Sequence, residues 1–144
     1  VVLFFLIVLL ALALALLDLD DFHQTNALHG HAGGDAVLRH LVGVCQLHLR
    51  SSDAIARLGG DEFVLLLPET PAADSMSTLL RLQRSLAQRP LPLDEQRVPV
   101  HFSAGLAQWH PGEPAEALLR RADASLYAAK RVGKNRVLAA EPPR

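Results

Sequence analysis

The sequence predicts an α/β sandwich of the ferredoxin-like kind, a central and mostly antiparallel sheet flanked by helices. Three observations predict it. The apolar segments read in the order β, α, β, β, α, β, α. The two middle strands flank Gly59-Gly60-Asp61-Glu62, where a glycine pair supplies the positive φ of a tight hairpin turn. Ala11–Leu17 is an unbroken apolar run of strand length, the pattern of a strand buried on both faces.

Length and charge set the outer bounds. A chain of 144 residues is one ordinary domain, long enough for a hydrophobic core. Fourteen Lys and Arg against 15 Asp and Glu leave a net charge of −1, which excludes bulk electrostatic capture of nucleic acid or of an anionic membrane. A single cysteine, Cys45, makes no internal disulfide and favours a reducing compartment. Half of the residues are apolar, and the excess lies in Val1–Leu17.

The elements follow in order. Ala11–Leu19 is the first strand, which leaves Val1–Leu10 with two readings: the end of a transmembrane helix, or an unnatural terminus. The chain starts at Val rather than Met, as a fragment of a longer protein would. Asp20–Gly34, rich in His, Asn and Gly, reads as a loop. Asp35–Leu49 is a helix with Val37, Leu38, Leu41, Val44 and Cys45 on one stripe. The hairpin of 54–58 and 63–67 follows. A second helix starts at Thr70-Pro71, with Thr70 as N-cap, and runs to about Gln88 with Met76, Leu79, Leu80 and Leu86 inward. Residues 97–107 alternate as a strand with one buried face. Ala115–Lys130 is the last helix, with Leu118, Leu119, Ala122, Leu126 and Tyr127 inward. Val137-Leu138 is a short strand. The expected organisation is an apolar extension (1–10), one domain (11–138) and a disordered tail (139–144).

Acidic residues mark the candidate chemistry. Asp18 and Asp20 end the first strand, and Asp61 and Glu62 sit at the hairpin tip. With that strand beside the hairpin, the two acidic sites converge. From spacing alone two readings stand, solvated turn acids or a site for Mg²⁺, which takes one or two carboxylates and fills its other positions with water and phosphate oxygens.

Several motifs carry a resemblance. Arg57-Leu58-Gly59-Gly60-Asp61-Glu62-Phe63 resembles the signature of the GGDEF family, the diguanylate cyclases, which condense two GTP into cyclic di-GMP. Asp18-Leu19-Asp20-Asp21-Phe22 resembles the family's DxDxF. Asn26, Gly30-His31 and Gly34-Asp35 follow its N…GH..GD pattern, and Ser103-Ala104-Gly105 its SxG strand. Ala122–Lys130 with Gly133-Lys134-Asn135-Arg136 resembles ADxALYxAKxxGRN. The likeness covers about residues 11–138 and implies the nucleotidyl-cyclase version of the sandwich.

The resemblance implies roles. Asp18, the Leu19 carbonyl and Asp61 would hold metal, Mg²⁺ or alternatively Mn²⁺. Asp61, with Glu62, would help deprotonate the 3′-hydroxyl that attacks a second GTP on the partner of a homodimer, expelling pyrophosphate. Asn26 and Asp35 would read guanine, whose adjacent N–H groups suit a carboxylate. Gly59 and Gly60 would let backbone approach the phosphates, and Lys130 and Lys134 would cap them. Arg50-Ser51-Ser52-Asp53 matches the RxxD inhibitory motif, which implies a product site for cyclic di-GMP, with Arg81 as a second contact. A nucleic-acid partner is not expected. The resemblance places the domain in the cytoplasm, with residues 1–10 as a candidate tether at the inner membrane.

Three departures qualify the match. His23 stands where the family usually has a Lys thought to stabilise transition-state charge; an imidazole carries less charge at neutral pH, so lower turnover is expected. Ala27 replaces the usual Asp, and the apolar run stands where the family has a DxLTGLxNR segment and a helix. These departures support a second reading, a catalytically impaired module that binds GTP or cyclic di-GMP. His29 and His31 belong to no zinc quartet; His31 is expected to be structural or substrate-side, and His40, His48 and His110 to lie at the surface.

Overall fold

Strand β1 (Leu12–Leu19) lies in the middle of a five-stranded sheet in the computed structural model, which describes residues 1–3, 6 and 11–144. Helix α1 (Phe22–His48), the hairpin β2 (Ala54–Gly59) and β3 (Glu62–Pro68), and helix α2 (Ala72–Ala87) follow it. Next come a small hairpin of β4 (Leu91–Leu93) and β5 (Gln96–Val98), then β6 (Phe102–Gln108), helix α3 (Ala115–Arg131) and β7 (Val137–Ala139). The large sheet runs β2-β3-β1-β6-β7, with β1 antiparallel to both neighbours and β7 parallel to β6.

The unbroken apolar run follows from this placement. Ala13, Ala15, Leu17 and Leu19 face one core with Leu41, Cys45, Leu79, Leu82 and Phe102. Leu14 and Leu16 face the other, against Leu118, Ala122 and Leu126 of α3. A strand covered on both faces cannot alternate with polar residues. Burial in the first core also pushes the Cys45 thiol up to about 12, which keeps it protonated and inert. The same two-sided burial corrects β6, expected to bury one face: all of Phe102–Ala107 is buried, and Gly105 lies directly under the α3 backbone.

Other expectations change with the tertiary structure. The expected loop at 20–34 is helical from Phe22; only Gly30 leaves helical geometry (φ 71°, ψ −179°), so α1 is two helices joined at a break. Gly33 and Gly34, read as loop residues, are instead buried where His29 and Asn26 lie against the helix backbone. Thr70 is not the cap of α2; Pro71 holds that position, and the Thr70 hydroxyl donates to the Pro68 carbonyl. Leu80, Leu119 and Tyr127, expected inward, are exposed, and Leu82 takes the place of Leu80 in the core. The strand expected at 97–107 divides around Pro99: residues 96–98 belong to β5, whose turn at Asp94 and Glu95 has both residues at positive φ. Strand β7 reaches Ala139, and the Ala140 amide donates to the Leu106 carbonyl, so the sheet runs past residue 138. Most of the expected extension 1–10 lies outside the described residues; among those, no helix is long and apolar enough to cross a membrane.

Candidate functional site

The carboxyl end of β1 meets the β2–β3 turn. The Leu19 amide donates to the Asp61 carbonyl at 3.1 Å, and Asp18 pairs in register with Glu62 on one side and Ser103 on the other. Gly60 at φ 52° makes the turn, and Arg57 Nε donates to its carbonyl at 2.9 Å. These bonds put Asp61 beside Asp18.

Asp18 is poorly solvated, and Asp61 beside it is half-buried. Asp18 is only 6 % exposed. Burial raises its pKa above the ordinary 3.8, and a hydrogen bond with the neighbouring Asp61 carboxyl raises it further. Lys130, from the last turn of α3, donates to Asp18 Oδ2 and acts in the opposite direction without overcoming the rise. Lys134 Nζ donates to Asp21 Oδ1 at 2.9 Å, and that bond raises the lysine pKa. Asp18, Leu19, His23, Asp61, Lys130 and Lys134 line one pocket of about 380 Å³.

The donor set fits a hard divalent cation. Asp18 and Asp61 supply two carboxylates and Leu19 a carbonyl, all hard oxygen donors lining one pocket. Among the described residues no group of three or more His, Cys, Asp or Glu is arranged around a metal position. Two carboxylates are the usual complement for Mg²⁺ when phosphate and water complete the shell.

Asp20 carries more of the architecture than its sequence position indicates. Its Oδ1 accepts from Ser103 Oγ at 2.7 Å and its Oδ2 from the Asn135 amide at 2.9 Å, so it joins β1, β6 and the turn that carries Lys134. Lys134 and Asn135 in that turn are both at positive φ. Asp20 stood out as an acid at the end of the first strand, but the only signal for Asp21, Ser103 and Asn135 was their membership of the quoted motifs, since their contacts cross 83 residues or more.

The remaining candidates fall elsewhere. Asn26 and Asp35 do not line the acidic pocket; they stand on opposite sides of the Gly30 break, with Asn26 Oδ1 against Gly34. Glu62, Gly59 and Gly60 are exposed at the hairpin tip. Arg50, Asp53 and Arg81 do come together, lining a second pocket of about 300 Å³ with Thr70, Asp74 and Thr78. There Arg50 Nη2 donates to Asp53 Oδ1 at 3.2 Å, to the Pro68 carbonyl at 2.7 Å and to Thr70 Oγ1. The three histidines expected at the surface are corrected: His40, His48 and His110 are all half-buried, and His40 Nε2 donates to the Arg89 carbonyl at 2.6 Å.

Comparison with known proteins gives the same result by sequence and by shape. Residues 10–136 match the family described as "Diguanylate cyclase, GGDEF domain". Diguanylate cyclase DgcP of Pseudomonas aeruginosa is 40 % identical over 126 residues, which cover 88 % of this chain and 19 % of that protein. Diguanylate cyclase DgcM of Escherichia coli is 40 % identical over 128 residues, covering 89 % and 30 %. The chain thus spans about a fifth to a third of these relatives. The crystal structure of the GGDEF domain of DgcB from Caulobacter crescentus, in complex with c-di-GMP, superposes with a TM-score of 0.85 at 36 % identity, covering 92 % of this chain and 79 % of that one. The active GGEEF domain of a diguanylate cyclase from Vibrio cholerae gives 0.84 at 30 % identity, covering 92 % and 85 %. This chain belongs to the GGDEF family of diguanylate cyclase domains.

Proposed function

We propose that the domain condenses two GTP into cyclic di-GMP, releasing two pyrophosphates, with each copy of a homodimer holding one nucleotide. The observation that carries this reading is the juxtaposition of buried Asp18 and half-buried Asp61 with Lys130 and Lys134 in one pocket. Asp18, the Leu19 carbonyl and Asp61 would hold a divalent cation, Mg²⁺ or Mn²⁺, which when bound would neutralise phosphate charge and favour loss of the hydroxyl proton. Asp61, aided by Glu62, accepts the proton of the 3′-hydroxyl. That oxygen then bonds to the α-phosphorus of the other GTP as the bond to the bridging oxygen breaks. Lys130 and Lys134 meet the terminal phosphates, and His23, on the pocket wall, faces the developing charge. Asn26 and Asp35 read the guanine edge, and Gly59 and Gly60 keep the turn free of side chains beside the phosphates. The work is done on the cytoplasmic side, where GTP is supplied. Incubating the folded chain with GTP and Mg²⁺ is expected to yield cyclic di-GMP and pyrophosphate in a 1:2 ratio; GTP loss without that product contradicts the reading.

Gly34 offers a local check on guanine reading. A methyl group there falls 1.9 Å from Asn26 Oδ1, the end of a rotatable side chain. Gly34→Ala is therefore expected to turn Asn26 aside while α1 stays folded. Guanine-nucleotide affinity should drop by about 10-fold with little change in Tm, measured by calorimetry and thermal unfolding.

The second pocket supports a regulatory reading alongside the first. We infer that Arg50, Asp53 and Arg81 bind the product, the guanidinium groups taking phosphate and the Asp53 carboxylate the guanine N–H groups. Arg50→Ala is expected to weaken cyclic di-GMP binding by about 10- to 100-fold and to lift product inhibition. Titration calorimetry and progress curves check both effects. If the chain binds cyclic di-GMP but makes none, the receptor reading stands in place of the enzyme.

A further inference from the structure

The Gly30 break divides the guanine-reading pair, and a separate segment bridges that break. Asn26 lies on the first half of α1 and Asp35 on the second. A break at a glycine with φ 71° leaves the angle between the halves weakly determined by the backbone itself. Gly33 and Gly34 let His29 and Asn26 lie against the second half, so the packing is close but made by rotatable side chains.

Residues 89–94 run beside this break and are bonded to both halves. Before the break, His29 Nδ1 donates to Asp94 Oδ2 at 2.8 Å, with the His29 side chain only 8 % exposed. After it, His40 Nε2 donates to the Arg89 carbonyl at 2.6 Å. Both directions follow from the acceptors, since a carboxylate and a carbonyl have no proton to give. Leu91 and Leu93 pack against the core between these two bonds, and Leu93 approaches Gly33. Asp94 sits at φ 49° in the β4–β5 turn, a conformation that aspartate and asparagine tolerate, so its carboxylate is held at the tip.

We propose that this strap sets the angle of the α1 break and thereby the spacing of Asn26 and Asp35, making His29 and Asp94 positioning residues for guanine selection. The proposal rests on the reading that Asn26 and Asp35 bind guanine. It requires the strap to affect the base more than the phosphates. The first half of α1 lends Phe22, His23 and Gln24 to the acidic pocket, but Asp18, Asp61, Lys130 and Lys134 come from β1, the hairpin turn, α3 and the turn after it, and no residue of 89–98 lines that pocket.

GDP and IDP carry the same phosphates and differ in the 2-amino group that Asp35 would accept from. Their affinities in the presence of Mg²⁺ therefore read base selection without turnover. Asp94→Ala is expected to reduce the preference for GDP over IDP by about 5-fold with IDP affinity within 2-fold of wild type. Asp94→Asn, which keeps an acceptor oxygen and the turn conformation, restores the preference. Thermal unfolding verifies that both variants are folded, as the exposure of Asp94 leads us to expect. An unchanged preference in Asp94→Ala, or an equal loss for GDP and IDP, overturns the strap. Asp35→Ala separates the two levels: if it abolishes the preference while Asp94→Ala does not, guanine reading stands and the strap falls. If wild type shows no preference for GDP, both fall.

Discussion

Asp18→Asn is expected to lower cyclic di-GMP formation by about 10³-fold while raising the melting temperature of the metal-free protein. The activity loss would follow from removing one of the two carboxylates proposed to hold the cation. The stability gain follows from the direction of the Asp18 shift. Its folded pKa lies above the unfolded value near 3.8, chiefly through burial and secondly through Asp61. The folded chain therefore holds the Asp18 proton more tightly than the unfolded chain does. The stabilising contribution of this group is fully present below the unfolded value and lost as pH rises through the raised folded one. At neutral pH the ionised carboxylate is a cost, which asparagine removes while Lys130, half-exposed, regains water. A gain on the order of 1 kcal/mol corresponds to roughly 3 °C for a domain of this size. Mg²⁺ should raise the melting temperature of the wild type at pH 7, much less so when the pH falls below 4, and not at all in the variant. Calorimetric unfolding with and without Mg²⁺ across that pH range checks the sign.

The second large effect is structural. Gly105→Ala is expected to destabilise the fold by about 3 kcal/mol or more, lowering the melting temperature by roughly 10 °C. The added methyl falls 2.0 Å from the Ala122 carbonyl oxygen and 2.4 Å from the Leu126 amide nitrogen. Both are backbone atoms of α3, so relief requires the whole helix to withdraw from β6. That withdrawal also moves Lys130, at the end of the same helix, away from Asp18. Gly43→Ala is the matched control. It lies within α1 with open space around its Cβ position, and the same methyl is expected to stabilise by about 0.5–1 kcal/mol. Thermal denaturation of the two variants side by side separates a steric effect at Gly105 from any general effect of replacing glycine.

What was legible in the sequence depended on how local its cause was. The strand 12–19, the 54–68 hairpin and the final helix follow from apolar runs and turn residues within a few positions of one another, and all three stand where expected. Residues 22–29 were not legible as helix because Phe22, His23, Thr25, Asn26 and His29 are weak helix formers, and packing against the second half of α1 outweighs their propensity. The β4–β5 hairpin was missed for a related reason: its strands have three residues each, and its turn is Asp-Glu rather than a glycine pair. Leu80 and Leu82 differ only in which side of a wide apolar stripe meets the sheet, which neighbours decide.

The site divides the same way. Convergence of Asp18 and Asp61 follows once β1 is placed beside the hairpin. The clustering of Arg50, Asp53 and Arg81 needs only the hairpin and the helix after it. By contrast, the Lys130–Asp18 and Asp20–Ser103 bonds join residues 112 and 83 positions apart, and no periodicity reports them. Motif membership named those residues, and only the folded chain gives each a partner.

The central claim is that Asp18 and Asp61 together hold the cation that lets this domain join two GTP. Cyclic di-GMP formation as a function of Mg²⁺, in wild type and in Asp61→Asn, tests it most directly. Saturable, Mg²⁺-dependent product from wild type and a loss of about 10³-fold in the variant at every Mg²⁺ concentration is the expected result. Equal product from both proteins, or product from wild type in the presence of a chelator, contradicts it.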